Sequence, residues 1–286
     1  MSQSHNDSPS AETHVLQCME IWSGNKLIES TASSTGLDLW IYSQPYLGQS
    51  RGGDVHYLSL CVGGIVTRIV LADVSGHGNK VADTAATLRK LLRKYMNTKK
   101  QERLVGELNR EFSELEQSGR FATAIVATYL SHKNQLLLTN AGHPRPLLFR
   151  QSVGHWQFLD HEVTENERPD NLPLGFDGRT QYQHFRLPIR SGDLLLLYTD
   201  ALTEARNSAD KYLGEQGLLL LVQAIPLTVS FDQFGAELVK AVRSFSNGLT
   251  EDDETLIVIR FGEGRRSPGI LEKLRGYAAV LRLIDP

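Results

Sequence analysis

The fold of this chain is decided by residues 57–74, YLSLCVGGIVTRIVLADV, and by the segment that follows them. Two apolar runs separated by Gly63 and Gly64 predict a β-hairpin, because paired glycines supply the backbone angles of a tight turn. The second run continues into SGHGNK, and apolar residues at helical spacing come next. The sequence therefore predicts a hairpin that leads through a glycine-rich loop into two helices, at 80–97 and 101–117.

Further strands surround this unit. Alternating or continuous apolar runs predict a strand at 37–44, a second hairpin at 121–142 that turns at Lys133 and Asn134, and a last strand at 254–262. The segments PRPLLFRQ, HFRLPI and DLLLLYTD predict three more strands, and 214–246 is helical with a break at Pro226. Antiparallel strands interleaved with pairs of helices favour layered packing of sheets and helices over a parallel βαβ sheet.

Composition excludes several classes of protein. The chain has 286 residues, 41% of them hydrophobic, and a formal net charge of −3, so it offers no basic excess for nucleic acid. It has no apolar run long enough for a membrane span and no signal-peptide core at its N-terminus. Cys18 and Cys61 are too far apart in sequence for a metal knuckle. A cytoplasmic protein with two reduced thiols is expected.

Acidic residues recur where the predicted strands end. Asp54 precedes the first hairpin, Asp73 ends its second strand, and Asp200 follows the run LLLLYT. Asp252 and Asp253 directly precede the last strand. An aspartate between a strand and a helix is commonly a helix cap or an Asx turn, and each of these residues alone could be one. Together, however, carboxylates at one sheet edge predict a site for Mg²⁺ or Mn²⁺, because oxygen-only ligands suit these cations.

Seven motifs follow one another in a fixed order along the chain. They are GGD (52–54), LADVSGHG (71–78), FATAIVATY (121–129), NAGHPRPL (140–147), LPLG (172–175), GDLLLLYTDALTEA (192–205) and EDDET (251–255). With this series the chain resembles the PPM-type, or phosphatase 2C-like, metal-dependent serine/threonine phosphatases, and in particular the bacterial branch of stage II sporulation protein E and the phosphatases that regulate sigma factors. The similarity extends from about Gly36 to Phe261.

The resemblance implies an α+β fold, a four-layer α-β-β-α sandwich of two antiparallel sheets flanked by helices. It also implies a centre that holds two Mn²⁺ or Mg²⁺ ions and a metal-activated water. Catalysis would depend on the four aspartates through that water. The implied metal ligands are Asp54, Asp73, the backbone carbonyl of Val74, Asp200 and Asp252.

The implied function is hydrolysis of phosphoserine or phosphothreonine in a phosphoprotein, with an anti-sigma-factor antagonist as one substrate. The alternatives are a catalytically degenerate phosphatase fold that binds a partner and a phosphatase of small molecules. Residues 1–14 are predicted to be a disordered tail, 15–262 the phosphatase domain, and 263–286 a C-terminal helical extension. That extension would pack on its own domain, although a dimer or partner contact is the alternative.

Some positions depart from the family or have ordinary explanations. The motif GGDVHY places Tyr57 where a second acidic residue is common, and no arginine matches the phosphate-binding arginine of the eukaryotic enzymes. Arg51 and Arg145 are the candidates for that role. His77 and His143 are expected to shape their loops rather than act as catalytic acids. Ser75 is expected to be a loop residue and Cys61 a core residue.

Overall fold

The computed structural model describes residues 13–16, 21–61, 64–76, 79–98, 100–115, 119–159, 172–249 and 251–263. Within these residues, thirteen strands form two sheets, and four helices cover their outer faces. The predicted C-terminal helix and residues 1–12 of the predicted tail lie outside this part of the chain. His14, at the end of that tail, is in a strand. Among the described helices, none has the length and apolar composition needed to cross a membrane.

The first sheet has seven strands. Their order is β1, β3, β4, β13, β12, β9 and β10. Every pairing is antiparallel except that of β1 with β3, which is parallel. The strands are β1 (His14–Val15), β3 (Ile28–Ser34), β4 (Leu37–Gln44), β9 (Leu147–Arg150), β10 (His155–Phe158), β12 (Leu194–Tyr198) and β13 (Glu254–Phe261).

The second sheet has six strands, all antiparallel, in the order β11, β8, β7, β6, β5 and β2. Both predicted hairpins belong to it, and Asn134 adopts a positive φ in the turn of the second. The strands are β2 (Ile21–Gly24), β5 (Val55–Cys61), β6 (Val66–Val74), β7 (Ala122–Leu130), β8 (Gln135–Ala141) and β11 (Phe185–Pro188).

The helices complete four layers. Helices α1 (Asn79–Tyr95) and α2 (Gln101–Leu115) cover the six-stranded sheet, and α3 (Gly214–Ala224) and α4 (Phe231–Phe245) cover the seven-stranded one. One apolar core lies between the sheets and one beneath each helix pair. The predicted α-β-β-α sandwich is therefore confirmed, with the one parallel pairing as an addition.

The N-terminal strands show where the sequence prediction was incomplete. β1, β2, β3 and β10 were not predicted, because their residues are polar or only partly buried and their segments are short. Leu115, predicted to lie on the apolar face of α2, is exposed instead, because it is the last residue of the helix. The missed strands extend the edges of the sheets, and the central strands that carry the aspartates were all predicted.

Candidate metal centre

The predicted aspartates converge because four central strands end at one edge of the sandwich. Asp54 directly precedes β5, and Asp73 is the penultimate residue of the neighbouring β6. Asp200 begins a short 3₁₀ turn two residues after β12, and Asp252 lies two residues before β13. Since β12 pairs with β13 and β5 with β6, each sheet contributes two of these carboxylates.

The carboxylates of the site repel one another. Burial, together with repulsion from Asp200, Asp252 and Asp253, raises the pKa of Asp73 to about 8. The pKa of Asp54 is raised well above its usual value, first by burial and then by Asp73. Burial and then Glu204 raise the pKa of Asp200. Such an arrangement favours either bound protons or a cation.

Asp54 is the most deeply buried of the four predicted aspartate ligands, at 2% exposure. Its Oδ2 accepts a hydrogen bond from the Thr199 hydroxyl at 3.1 Å, and Thr199 Oγ1 in turn accepts from the Thr255 amide at 2.9 Å. Its Oδ1 has no hydrogen-bond partner among the described residues. A buried carboxylate oxygen without a donor is costly unless a cation neutralises it.

Asp253 has a structural role that the sequence analysis did not assign to it. Its Oδ1 accepts a hydrogen bond from the Tyr46 amide at 2.7 Å, and its Oδ2 accepts one from the Gly53 amide at 2.5 Å. Asp252 is partly exposed, and its charge, like that of Asp253, raises the pKa of Asp73. Asp253 therefore positions the loop before Asp54.

Gly52 and Gly53 are required by close packing. A Cβ atom on Gly52 would lie 2.5 Å from Asp253 Oδ1, and one on Gly53 would lie 2.6 Å from Val81 Cγ1 and 3.1 Å from the Val74 carbonyl oxygen. Asn25 fixes the same segment, because its backbone oxygen accepts from the Gly52 amide and its Nδ2 donates to the Gly52 oxygen. The Val74 carbonyl oxygen thus lies beside the backbone that leads into Asp54.

The donor set fits a divalent cation, although the side chains do not enclose one as they stand. In the described part of the chain, no three His, Cys, Asp or Glu side chains are arranged as a metal-holding group. The unpartnered oxygen of Asp54, the mutual repulsion and the oxygen-only donors nevertheless match what Mg²⁺ or Mn²⁺ requires.

The other candidate residues have structural partners. His143 is buried, its Nδ1 lies 2.8 Å from Thr123 Oγ1, and burial lowers its pKa to about 3. Ser75 Oγ accepts a hydrogen bond from the Phe121 amide, and Cys61 is buried in the core. The Arg145 guanidinium forms a two-pronged ion pair with Glu215. His77 lies outside the described residues.

A cleft of about 440 Å³ opens beside the cluster. Asp252, Ala201 and residues of the 204–210 loop line it. Most of the charged groups in the lining are acidic, and Arg206 and Arg243 are the basic ones.

Comparison with known proteins identifies the class. Residues 64–262 match the sequence profile of the stage II sporulation protein E (SpoIIE) family, and the chain belongs to that family. A relative is the phosphoserine phosphatase RsbU of Bacillus subtilis (strain 168), 24% identical over 193 residues, which are 67% of this chain and 55% of RsbU. The chain thus spans about half the length of this curated relative.

Solved structures share the fold. The RsbU and RsbW domains of a Mycobacterium tuberculosis protein align with a TM-score of 0.68 at 20% identity, over 90% of this chain and 70% of that one. The PP2C phosphatase domain of SpoIIE from Bacillus subtilis aligns at 0.64 and 16%, over 80% and 64%. RsbX, solved in complex with magnesium, aligns at 0.59 and 16%, over 82% and 100%.

Proposed function

We propose that this chain is a cytoplasmic metal-dependent phosphatase that removes phosphate from phosphoserine or phosphothreonine in a protein substrate. The observation that carries the proposal is the cluster of repelling aspartates from both sheets, with the unpartnered Oδ1 of Asp54 buried among them. Membership of the SpoIIE family, the phosphoserine phosphatase relative and the magnesium-bound RsbX support it.

Each residue of the cluster has a proposed task. Asp54, Asp73, Asp200, Asp252 and the Val74 carbonyl would hold two Mn²⁺ or Mg²⁺ ions. Bound divalent ions activate water at neutral pH and neutralise phosphoryl oxygens. Thr199 orients Asp54, and Asp253 fixes the segment that precedes it. The acidic site would repel a phosphate dianion without cations, so metal loading and substrate binding are expected to be linked.

Neither a side-chain nucleophile nor a histidine acid is part of the proposed reaction. Hydrolysis by metal-bound water needs no serine or cysteine nucleophile, which agrees with the structural roles of Ser75 and Cys61. His143 is neutral at physiological pH and buried, so it is not a suitable proton donor for the leaving group. We propose an anti-sigma-factor antagonist as the phosphoprotein, by analogy with the family alone.

The test is hydrolysis of an aryl phosphate and of a phosphoserine peptide by the purified chain with Mn²⁺, with Mg²⁺ and with EDTA. The proposal expects turnover with either cation and none in EDTA. Asp73→Asn and Asp200→Asn should abolish turnover while the circular dichroism spectrum remains that of the wild type. Full activity in both variants would sink the metal assignment. Absence of turnover with metal-saturated wild type would favour the degenerate, partner-binding alternative.

A further inference from the structure

The loop that connects β4 to β5, residues 45–53, is held at both of its ends by Asp253, the neighbour of the proposed ligand Asp252. Asp253 accepts one hydrogen bond from Tyr46 near the start of the loop and another from Gly53 at its end. Between these two anchors, residues 47–51 are all exposed. One carboxylate beside the aspartate cluster therefore holds a solvent-facing loop at the rim of the site.

Leu47 in this loop has an unusual conformation. It lies in the left-handed region, with φ 49° and ψ 27°, and it is 77% exposed, the most exposed large apolar side chain of the described residues. The other non-glycine residues with positive φ in that part of the chain are asparagine or aspartate, which tolerate this region: Asn134, Asp210 and Asn247.

Neither the left-handed backbone of Leu47 nor its exposed side chain stabilises the fold. A strained backbone and an exposed apolar side chain both favour replacement by glycine or asparagine at such a position. Strain of this kind concentrates at functional sites, and an observed outlier justifies a functional hypothesis. The loop thus presents an apolar side chain to solvent beside the candidate metal centre.

Three arginines carry positive charge that no carboxylate of the described residues neutralises. Arg51 is exposed in the loop, and Arg89 and Arg93 lie one turn apart on α1. The pKa of the Arg89 guanidinium is lowered by partial burial and then by the charges of Arg51 and Arg93. Among the described residues, none of the three has an ion-pair partner, whereas Arg110, Arg145 and Arg150 do.

We propose that loop 45–53 is the docking element for the phosphoprotein substrate. Leu47 packs against an apolar residue of the substrate, and Arg51, Arg89 and Arg93 bind acidic residues that flank its phosphoserine. Free phosphate and nucleic acid supply negative charge but no apolar side chain for Leu47, so a protein segment fits the surface better. This inference rests on the proposed phosphatase function and adds a sequence preference to it.

The experiment compares three phosphoserine peptides with the Mn²⁺-loaded full chain. One has leucine and glutamate beside the phosphoserine, one has glutamate alone, and one has glycine and serine. The readout is the ratio of kcat/KM values between peptides, in which the shared chemical step cancels. Leu47→Gly and Arg51→Gln are the test variants, and Leu220→Gln on α3, where the leucine is 66% exposed, is the matched control.

The wild type should prefer the leucine–glutamate peptide over the glycine–serine peptide by about tenfold, the effect of one or two well-packed contacts. Leu47→Gly should lose the advantage that leucine gives, and Arg51→Gln the advantage that glutamate gives. Leu220→Gln should keep both. The melting temperature of Leu47→Gly should equal or exceed that of the wild type, because glycine adopts positive φ without strain.

Several results would overturn the inference. These are equal kcat/KM for all three peptides in the wild type, an unchanged preference in Leu47→Gly, or an equal loss on every peptide in Arg51→Gln. Should the wild type hydrolyse no substrate, the proposed function fails, and binding still tests the loop. Fluorescence anisotropy of the labelled leucine–glutamate peptide in EDTA then decides, since weaker binding by Leu47→Gly supports docking and unchanged binding refutes it.

Discussion

Two isosteric substitutions in the aspartate cluster should change stability in opposite directions. Asp253→Asn and Asp73→Asn each replace one carboxylate oxygen by an amide nitrogen within the same group of charges. Asp253 accepts hydrogen bonds from two backbone amides, at 2.7 and 2.5 Å. Asp73 accepts none from a backbone amide of the described residues, and its charge is opposed by burial and by its neighbours. The two variants therefore separate a positioning residue from a proposed metal ligand.

The magnitudes follow from these contacts. A hydrogen bond to a charged group contributes about 1.5–3 kcal/mol, and an asparagine keeps at most one of the two as a weaker neutral bond. Relief of repulsion offsets part of that loss, so Asp253→Asn should lower the free energy of unfolding by about 2–3 kcal/mol. Asp73→Asn removes a charge that burial and three neighbouring carboxylates oppose. It should raise the free energy of unfolding by about 1–3 kcal/mol, even where its hydrogen bond with Asp54 is weakened.

The assay is urea unfolding of the metal-free chain in EDTA at pH 7.5, followed by circular dichroism. Equal slopes with respect to urea are needed for the comparison, because the slope reports the surface exposed on unfolding. The reasoning is refuted if Asp253→Asn is as stable as the wild type, or if Asp73→Asn is destabilised by a similar amount. Either result would mean that the two carboxylates do not differ in role.

Three further predictions concern the same part of the molecule. Gly52→Ala should be destabilised in thermal unfolding, because its Cβ would lie 2.5 Å from Asp253 Oδ1. The matched control is Gly106→Ala in the middle of α2, where the Cβ would meet nothing within 4 Å, and it should be neutral or stabilised by up to about 1 kcal/mol. The pKa of His143 is lowered to about 3 by burial, so the stability that its neutral form contributes is present above pH 6.5 and is lost as the pH falls toward 3. Between pH 7 and pH 5, His143→Gln should lose about 2 kcal/mol less free energy of unfolding in urea than the wild type, and an equal loss would refute this. Mn²⁺ at about 100 times its dissociation constant should stabilise the wild type by about 2.7 kcal/mol in the same assay and leave Asp54→Asn unchanged, whereas equal stabilisation of both would place the ion elsewhere.

The sequence predicted the central strands well because their residues are buried on both faces of the sandwich. Continuous apolar runs such as those of β12 and β13 leave little choice of structure, and the turns predicted at Gly63–Gly64 and at Lys133–Asn134 fix the hairpins. The edge strands β1 and β2, and β3 beside β1, carry polar residues and are partly buried, so their pairing depends on tertiary contacts that no local pattern shows.

The candidate site was predictable in its carboxylates but not in their support. Asp54, Asp73, Asp200 and Asp252 stand at strand ends, and strand ends meet at a sheet edge. Which member of the Asp252–Asp253 pair accepts the amides of Tyr46 and Gly53 depends on the backbone direction before β13, which spacing alone does not reveal. Asn25 gave no signal, because its two hydrogen bonds to Gly52 join segments 27 residues apart. Thr199 and Thr255 lie inside the recognised motifs and could have been singled out there.

Calorimetric titration of Mn²⁺ into the metal-free chain tests the central claim most directly. The claim is that aspartates from both sheets form one divalent metal centre. Wild type should show saturable binding, and Asp73→Asn should bind at least about tenfold more weakly, with its fold retained by circular dichroism. Absence of saturable binding to the wild type, or the same affinity in Asp73→Asn, would contradict the account.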